Sequence, residues 1–319
     1  MFRNKKVLGV EIGRDDLHAV ELCFTGNNRF YISKYHTLDL DHSVLSEGVV
    51  IDEDAFVDAF VRMYKEGGFS ARKTVFGIDN QTTILRFASF PKVEQSKQRG
   101  LIMLNAQEHI PVPLSELELD YVSVGEFEDE EGSRINVLLC AVSKKAIQRI
   151  LDVSKAASLS VNSITPSQIA YANAVLSRTT KTDFMAVRLG KKSVFHIVFE
   201  NRAVAFLRHL NLNSEIISLL KVAMRGETLF QNDIELIQSD IVRNINATIN
   251  YYRLQSKREV DHIYITGAAA LRRYISTDIE NQLQSKVELI RLYEPDGKRG
   301  SSPPEEYDCC ISLALNSKK

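Results

Sequence analysis

A short stretch near the amino terminus has residue types and spacing suited to handling a phosphate, with one contradiction. Glu11, Gly13, Arg14, Asp15 and Asp16 sit between two apolar runs, 7–12 and 17–22, and Gly13 opens the turn between them. An apolar strand, a tight glycine turn and a returning strand make a hairpin whose backbone N–H groups can approach an anion. Asp15 and Asp16 oppose this. Each carboxylate costs about 1–4 kcal/mol against a phosphate at close range unless a divalent cation intervenes. These two acids are expected to be solvated turn residues. A second stretch, 185–193, is an apolar strand that ends on Arg188, Gly190 and Lys191. Arg188 can pair with a phosphate but cannot act as a base or a metal ligand. A third, 260–267, runs into Gly267 and Ala268, where the added methyl restricts φ and crowds any ligand pressed on the backbone.

The elements that must position these residues can be read from periodicity. Three strands are expected at 7–12, 17–24 and 30–38, then a helix near 54–64 with Phe56, Phe60 and Tyr64 on one face, then strands at 73–78 and 82–90. A segment of different character follows: a helix to about His109 stopped by Pro111 and Pro113, a strand at 117–124, an acidic turn at 126–132, an apolar strand at 135–142, a helix at 143–157 and a strand at 161–166. A second trio of strands at 184–189, 193–199 and 202–208 opens a repeat of the first arrangement. Helices at 214–225 and 231–256, a strand at 260–267, a helix at 268–284, a strand at 287–292 and a last helix at 307–315 complete it.

Composition narrows the function classes. The chain has 319 residues, a formal net charge of −1, 44% hydrophobic and 25% charged residues, so no global pull toward nucleic acid or anionic lipid is expected. No apolar run approaches the roughly 20 residues that span a bilayer. Cys23, Cys140, Cys309 and Cys310 all lie in apolar runs, outside zinc or disulfide spacing, and are expected to be buried reduced thiols of a cytoplasmic protein. The acidic run 126–131 lacks the spacing of a calcium loop, and no serine-hydrolase, zinc-protease or P-loop motif is present.

The opening hairpin has the outline of the first phosphate hairpin of the actin-like ATPases. More widely, the chain resembles the PilM family, actin-like cytoplasmic proteins of type IV pilus assembly related to MshI and FtsA. The resemblance rests on Gly9-Val10-Glu11-Ile12-Gly13 with Ala19-Val20-Glu21-Leu22 and on Ile84-Leu85-Arg86-Phe87-Ala88-Ser89-Phe90-Pro91. Its most specific part is Ala106-Gln107-Glu108-His109-Ile110-Pro111-Val112-Pro113 followed by Leu119-Asp120-Tyr121. Ile263-Tyr264-Ile265-Thr266-Gly267 and Cys310-Ile311-Ser312-Leu313-Ala314-Leu315 extend it toward the carboxyl end. It implies an α/β, two-lobed actin-like (ribonuclease H-like) fold with an inserted α+β subdomain of the FtsA and PilM type in the first lobe. The expected parse is first-lobe core 1–89, insertion 90–165, first lobe again 166–182, second lobe 183–300 with a helical part at about 211–259, and a helix at 301–319 returning to the first lobe.

Set against that family, Glu11 stands for an Asp, His18 for a Lys, Arg188 for the metal-organising Asp, Gly267-Ala268 for a Gly-Gly start, and 209–214 for a loop that ought to hold a Gly pair. All four loops depart in one direction. The expectation is therefore a scaffold without catalysis, metal or cofactor, whose nucleotide site is weak or lost. The resemblance implies that its partner is the cytoplasmic N-terminal tail of a PilN-like inner-membrane protein, holding the chain peripherally at that membrane. The tail is expected in a groove between the first lobe and the insertion, near Leu85, Arg86, Phe87, Leu101, Leu104, Ile110 and Pro111. The pilus motor ATPase and self-association are further contacts it allows. The alternative is an ATPase binding ATP with Mg, in which Glu11 and Lys191 keep metal and phosphate contacts. A small-molecule kinase is disfavoured because no base stands at the second loop.

Overall fold

Apolar alternation in the first 24 residues does form a hairpin, and it becomes the centre of a sheet. The computed structural model describes residues 5–25, 29–80, 82–267, 278–293 and 304–317. The chain divides into two compact units, one running to Tyr171 and resumed from Cys309, the other made of Ala172–Glu294 and Pro303–Asp308.

In the first unit β1 (Lys5–Ile12), β2 (Asp16–Phe24) and β3 (Phe30–Asp39) form an antiparallel meander. On its other side β1 pairs in parallel with β6 (Lys73–Ile78), and β6 with β10 (Ser160–Pro166), giving the order β10-β6-β1-β2-β3. Between β3 and β6 lie a small hairpin, β4 (Leu45–Ser46) with β5 (Val49–Val50), which periodicity does not reveal, and α1 (Glu53–Glu66). Asp52 caps α1 by accepting from the Ala55 N–H at 3.0 Å, a contact worth about 1 kcal/mol. Phe56, Phe60 and Met63 enter the core; Tyr64 stays half-buried, its hydroxyl donating to the Ala71 carbonyl.

An inserted layer follows: β7 (Ile84–Pro91), α2 (Gln95–Asn105), β8 (Leu117–Asp129) and β9 (Gly132–Ser143), with strand order β7-β9-β8. Ile102, Ala106 and Ile110 close its core against Phe90, Val137 and Leu139. Its limits differ from the expected 90–165. β7 pairs with β9 along its whole length, so the layer begins at Ile84. It ends at Ser143, because Ile150 and Val153 of α3 (Lys144–Ala156) join the core of the five-stranded sheet and β10 pairs with β6. The acidic segment is also mostly strand, since β8 and β9 stay paired out to Asp129 and Gly132.

The second unit repeats the plan. β11 (Phe184–Leu189), β12 (Ser193–Glu200), β13 (Ala203–Asn211), β14 (His262–Gly267) and β15 (Lys286–Leu289) take the order β13-β12-β11-β14-β15, three antiparallel strands followed by two parallel ones. α5 (Ser214–Met224), α6 (Gln231–Ser256) and α7 (Asp278–Leu283) accompany this sheet, and α6 buries Ile237, Ile241, Ile245 and Ile249 on its core. β13 pairs with β12 as far as Asn211, so the loop expected at 209–214 is strand over its first half. Most of the helix expected at 268–284 lies outside the described residues.

The chain passes between the units within α4 (Ser167–Leu176). α8 (Asp308–Asn316) lies on the first sheet. There Ser312 Oγ donates to the Ala170 carbonyl at 2.6 Å, and Cys310 Sγ approaches the His18 carbonyl at 3.3 Å. All four cysteines are buried and free. Two sheets of one order, with a layer inserted after the fourth strand of the first, make the α/β two-lobed actin-like fold that the sequence resemblance implies.

Candidate functional site

The turn between β1 and β2 is bonded to itself and to the segments that follow β3. The Gly13 N–H donates to the Asp16 carbonyl at 2.9 Å, the Leu40 N–H to the Asp15 carbonyl at 2.8 Å, and the Gly48 N–H to the Arg14 carbonyl at 2.7 Å. The Arg14 guanidinium reaches the Glu47 carboxylate at 2.6 Å. Asp16 is not a solvated turn acid: it is 13% exposed, folds over Gly13 and meets His18 Nε2 at 3.0 Å. The other ring nitrogen of His18 lies 2.8 Å from the Thr37 hydroxyl. Asp15 is half-buried. Glu11 is buried on β1, between His18 on β2 and Gly77 on β6. A phosphate needs free N–H donors and no fixed anion. At Gly13 the amide is committed to the Asp16 carbonyl and the Asp16 carboxylate lies over it, an arrangement that opposes an anion at that point.

The second-unit positions are equally occupied by structure. Arg188 is half-buried in β11, opposite Phe195 on β12 and Thr266 on β14. The Gly190 N–H closes the β11–β12 turn on the Ser193 carbonyl at 2.9 Å, and Lys191 pairs with Glu306 at 3.7 Å. Gly267 has φ +86, and any side chain there would run into the Leu189 carbonyl. Its glycine is accounted for by the end of β14 alone. Ala268 lies outside the described residues.

A clearer site is a cavity of about 350 Å³ within the first unit, between the inserted sheet and the five-stranded one. Its walls come from two sheet edges: β8 is the outer strand of the insertion and β10 the outer strand of the larger sheet. Tyr121, Val122 and Cys140 face Ile147, Ile164 and Ile169 across it. Arg99 and Asp120, paired at 2.7 Å, lie on the rim. Burial, with Asp120 adding to it, pushes the Cys140 thiol up to about 12, so it is a protonated wall atom and no nucleophile. The arrangement suits an extended peptide, with apolar walls for side chains and edge strands for main-chain pairing.

None of the seven residues expected to form a groove lines this cavity. Ile110 is 2% exposed in the inserted core, Leu101 packs against that core, and Leu104 stands 81% exposed. Pro111 and Arg86 are exposed, whereas Leu85 and Phe87 share a sheet face with Leu138 and Cys140 beside the cavity. Alternation could have found only part of this lining: Glu118, Asp120 and Val122 fall on the face of β8 opposite the inserted core, but Leu119 and Tyr121 of the other face line the cavity too, because β8 is an edge strand.

The comparisons with known proteins bear on the fold and the family. A family profile described as "Type IV pilus assembly protein PilM" matches residues 9–217. No curated protein matches the sequence. Among solved structures, a chain of a "PilM-PilN type IV pilus biogenesis complex" superposes with TM-score 0.78 at 20% identity, covering 98% of both chains. The ethanolamine utilization protein EutJ from Carboxydothermus hydrogenoformans gives 0.53 at 11% identity, over 98% of this chain and 90% of that one. The cytoplasmic domain of EpsL, an inner-membrane component of the type II secretion system of Vibrio cholerae, gives 0.51 at 10%, over 98% and 95%. These likenesses support the actin-like fold, and the profile spans well over half the chain: it belongs to the PilM family of type IV pilus assembly proteins.

Proposed function

We propose that this protein is a non-catalytic adaptor of a type IV pilus assembly platform that holds the cytoplasmic tail of a PilN-like inner-membrane protein in the groove between β8 and β10. The observation carrying this reading is the cavity itself: two sheet edges and facing apolar walls within one unit. The structural relative solved with PilN supports the choice of partner. No helix among the described residues is long and apolar enough to cross a membrane, and on this reading the partner supplies the membrane attachment. Burying one aliphatic side chain contributes about 1.5–3 kcal/mol, which is roughly ten- to hundredfold in affinity. Val122→Glu with Ile147→Glu should therefore weaken binding of a synthetic PilN-like tail at least about tenfold. Val122→Glu alone, at a position 45% exposed, should do so with little change in melting temperature, whereas Ile147 also packs on the first-unit core and its replacement lowers it. Arg86→Glu lies outside the lining and should leave affinity unchanged. Loss with Arg86→Glu but not with the pair would move the interface to the outer side of β7.

Nucleotide binding belongs to the same proposal as weak or lost. The Asp16 carboxylate over the Gly13 amide and Arg188 in place of an acid support it. Titration calorimetry with Mg-ATP should show nothing tighter than high micromolar and no hydrolysis. Low-micromolar binding would overturn this part and return Glu11 and Lys191 to metal and phosphate roles.

A further inference from the structure

Ile147 of α3 lines the partner groove, whereas Ala146, Arg149 and Ile150 line a second pocket, of about 190 Å³, that shares no lining residue with the groove. The β4–β5 hairpin and the start of α1 complete its walls, and buried Ile12, Phe56, Ile78 and Ile150 form an apolar floor. A buried amide is set into this surface. Asn80 is 5% exposed, and its Oδ1 accepts from the Thr82 N–H at 3.1 Å, the Thr82 hydroxyl at 3.0 Å and the Thr83 hydroxyl at 2.8 Å. Three donors on one oxygen fix which end of the amide is which. Its Nδ2 donates to nothing among the described residues. A buried donor left without an acceptor destabilises the fold, so this amide is a place where an occupant gains.

The chemistry of that occupant follows from the walls. The volume exceeds the roughly 150 Å³ that suffices for a benzene ring. Water suits it poorly, because an ordered water needs about two to four polar partners and the floor offers none. The charges at the mouth select no ion: Arg149 is taken up by Glu53 and Asp152, and Lys145 is exposed to solvent. A charged group would also have to leave water for the apolar floor. We propose that this pocket binds a small neutral molecule, with an apolar body the size of one ring and one carbonyl-type acceptor that takes the Asn80 Nδ2 hydrogen bond. The chain enters the inserted layer through Thr82 and leaves it through Ser143, and both line the pocket, so the occupant touches both crossings.

Acetophenone is the probe, and ethylbenzene, which carries a methylene in place of the carbonyl, is its control. Titrations followed by ligand-observed NMR should show saturable binding of both to the wild type. Asn80→Asp keeps an oxygen for Thr82 and Thr83 and turns the donor into an acceptor. Acetophenone affinity should then fall at least about tenfold relative to ethylbenzene, and retained ethylbenzene binding shows that the variant is folded. Ala146→Phe fills the space from α3 and should abolish binding of both without lowering the melting temperature. In the wild type, the carbonyl stretch of bound acetophenone should lie below its position in hexane, as an accepted hydrogen bond requires. No saturable binding, binding that survives Ala146→Phe, equal loss of both probes in Asn80→Asp, or a carbonyl stretch at the hexane position would each overturn the proposal.

Discussion

Replacing Gly9 by alanine is expected to cost the first unit about 3 kcal/mol or more, and by valine to prevent its stable folding. A Cβ at Gly9 would fall on the Cys310 carbonyl and close to the Ala314 amide, all backbone atoms that no rotamer change can move. Relief requires lifting α8 from β1, which exposes Cys310, Leu313 and Ala314, each buried completely. Overpacking of side chains costs about 1–3 kcal/mol, and a backbone collision lies at the top of that range or above it. For a unit of this size each kcal/mol lowers the melting temperature by about 2–4 °C. Gly100 is the control: it lies in α2 with open space where a methyl would go, so Gly100→Ala should stabilise by about 0.5–1 kcal/mol. Thermal melts of the two variants with the wild type test this. Equal melting temperatures would mean that α8 is not seated on β1 as described.

Helix α8 also shows what local reading can reach. The strands of both sheets follow from apolar runs broken by glycine and asparagine turns, and α1 from a phenylalanine stripe with Asp52 before it and Gly67 after. Each of these depends on neighbours within about ten residues. The candidate groove depends on which strands end up at a sheet edge, and that is decided by pairing between β7 and β9, some fifty residues apart. Nothing within 84–91 tells whether the strand joins the large sheet or the inserted one, so periodicity alone starts the insertion too late and offers the apolar faces of α2 to a partner. Leu101 and Ile110 serve their own sheet instead. The phosphate hairpin misleads for a related reason. His18 aligns with a lysine, but it meets Asp16 two residues back on its own strand and Thr37 opposite it on β3, and the second contact is one that register alone creates.

Acid should unfold the two units in order, the second before the first. His196 on β12 is fully buried; its Nδ1 lies 2.8 Å from the Thr248 hydroxyl, and its Nε2 has no hydrogen-bond partner among the described residues. Burial, with Arg208 and His209 adding to it, pushes its pKa down to about 3. The unfolded chain takes up this proton near pH 6.5 while the folded unit refuses it. The contribution is therefore complete above about pH 6.5 and is lost as the pH falls toward 3, reaching about 3 kcal/mol by pH 4.5. Glu21 governs the first unit differently. Its carboxylate is buried, which alone would raise its pKa, but it accepts from the Ser70 and Ala71 amides at 2.6 Å, from the Ser33 hydroxyl and from Lys6. These donors outweigh burial and hold it at about 2, so its contribution is intact above about pH 4.5 and fades only below. Hydrogen exchange followed by mass spectrometry should show α6 and β12 losing protection between pH 6 and 4.5 while β1 and β2 keep theirs. His196→Leu should flatten that loss, since Thr248 still bonds the Asn244 carbonyl at 3.2 Å. Both units opening together, or an unchanged pH slope in His196→Leu, would show that this buried imidazole does not set the acid limit.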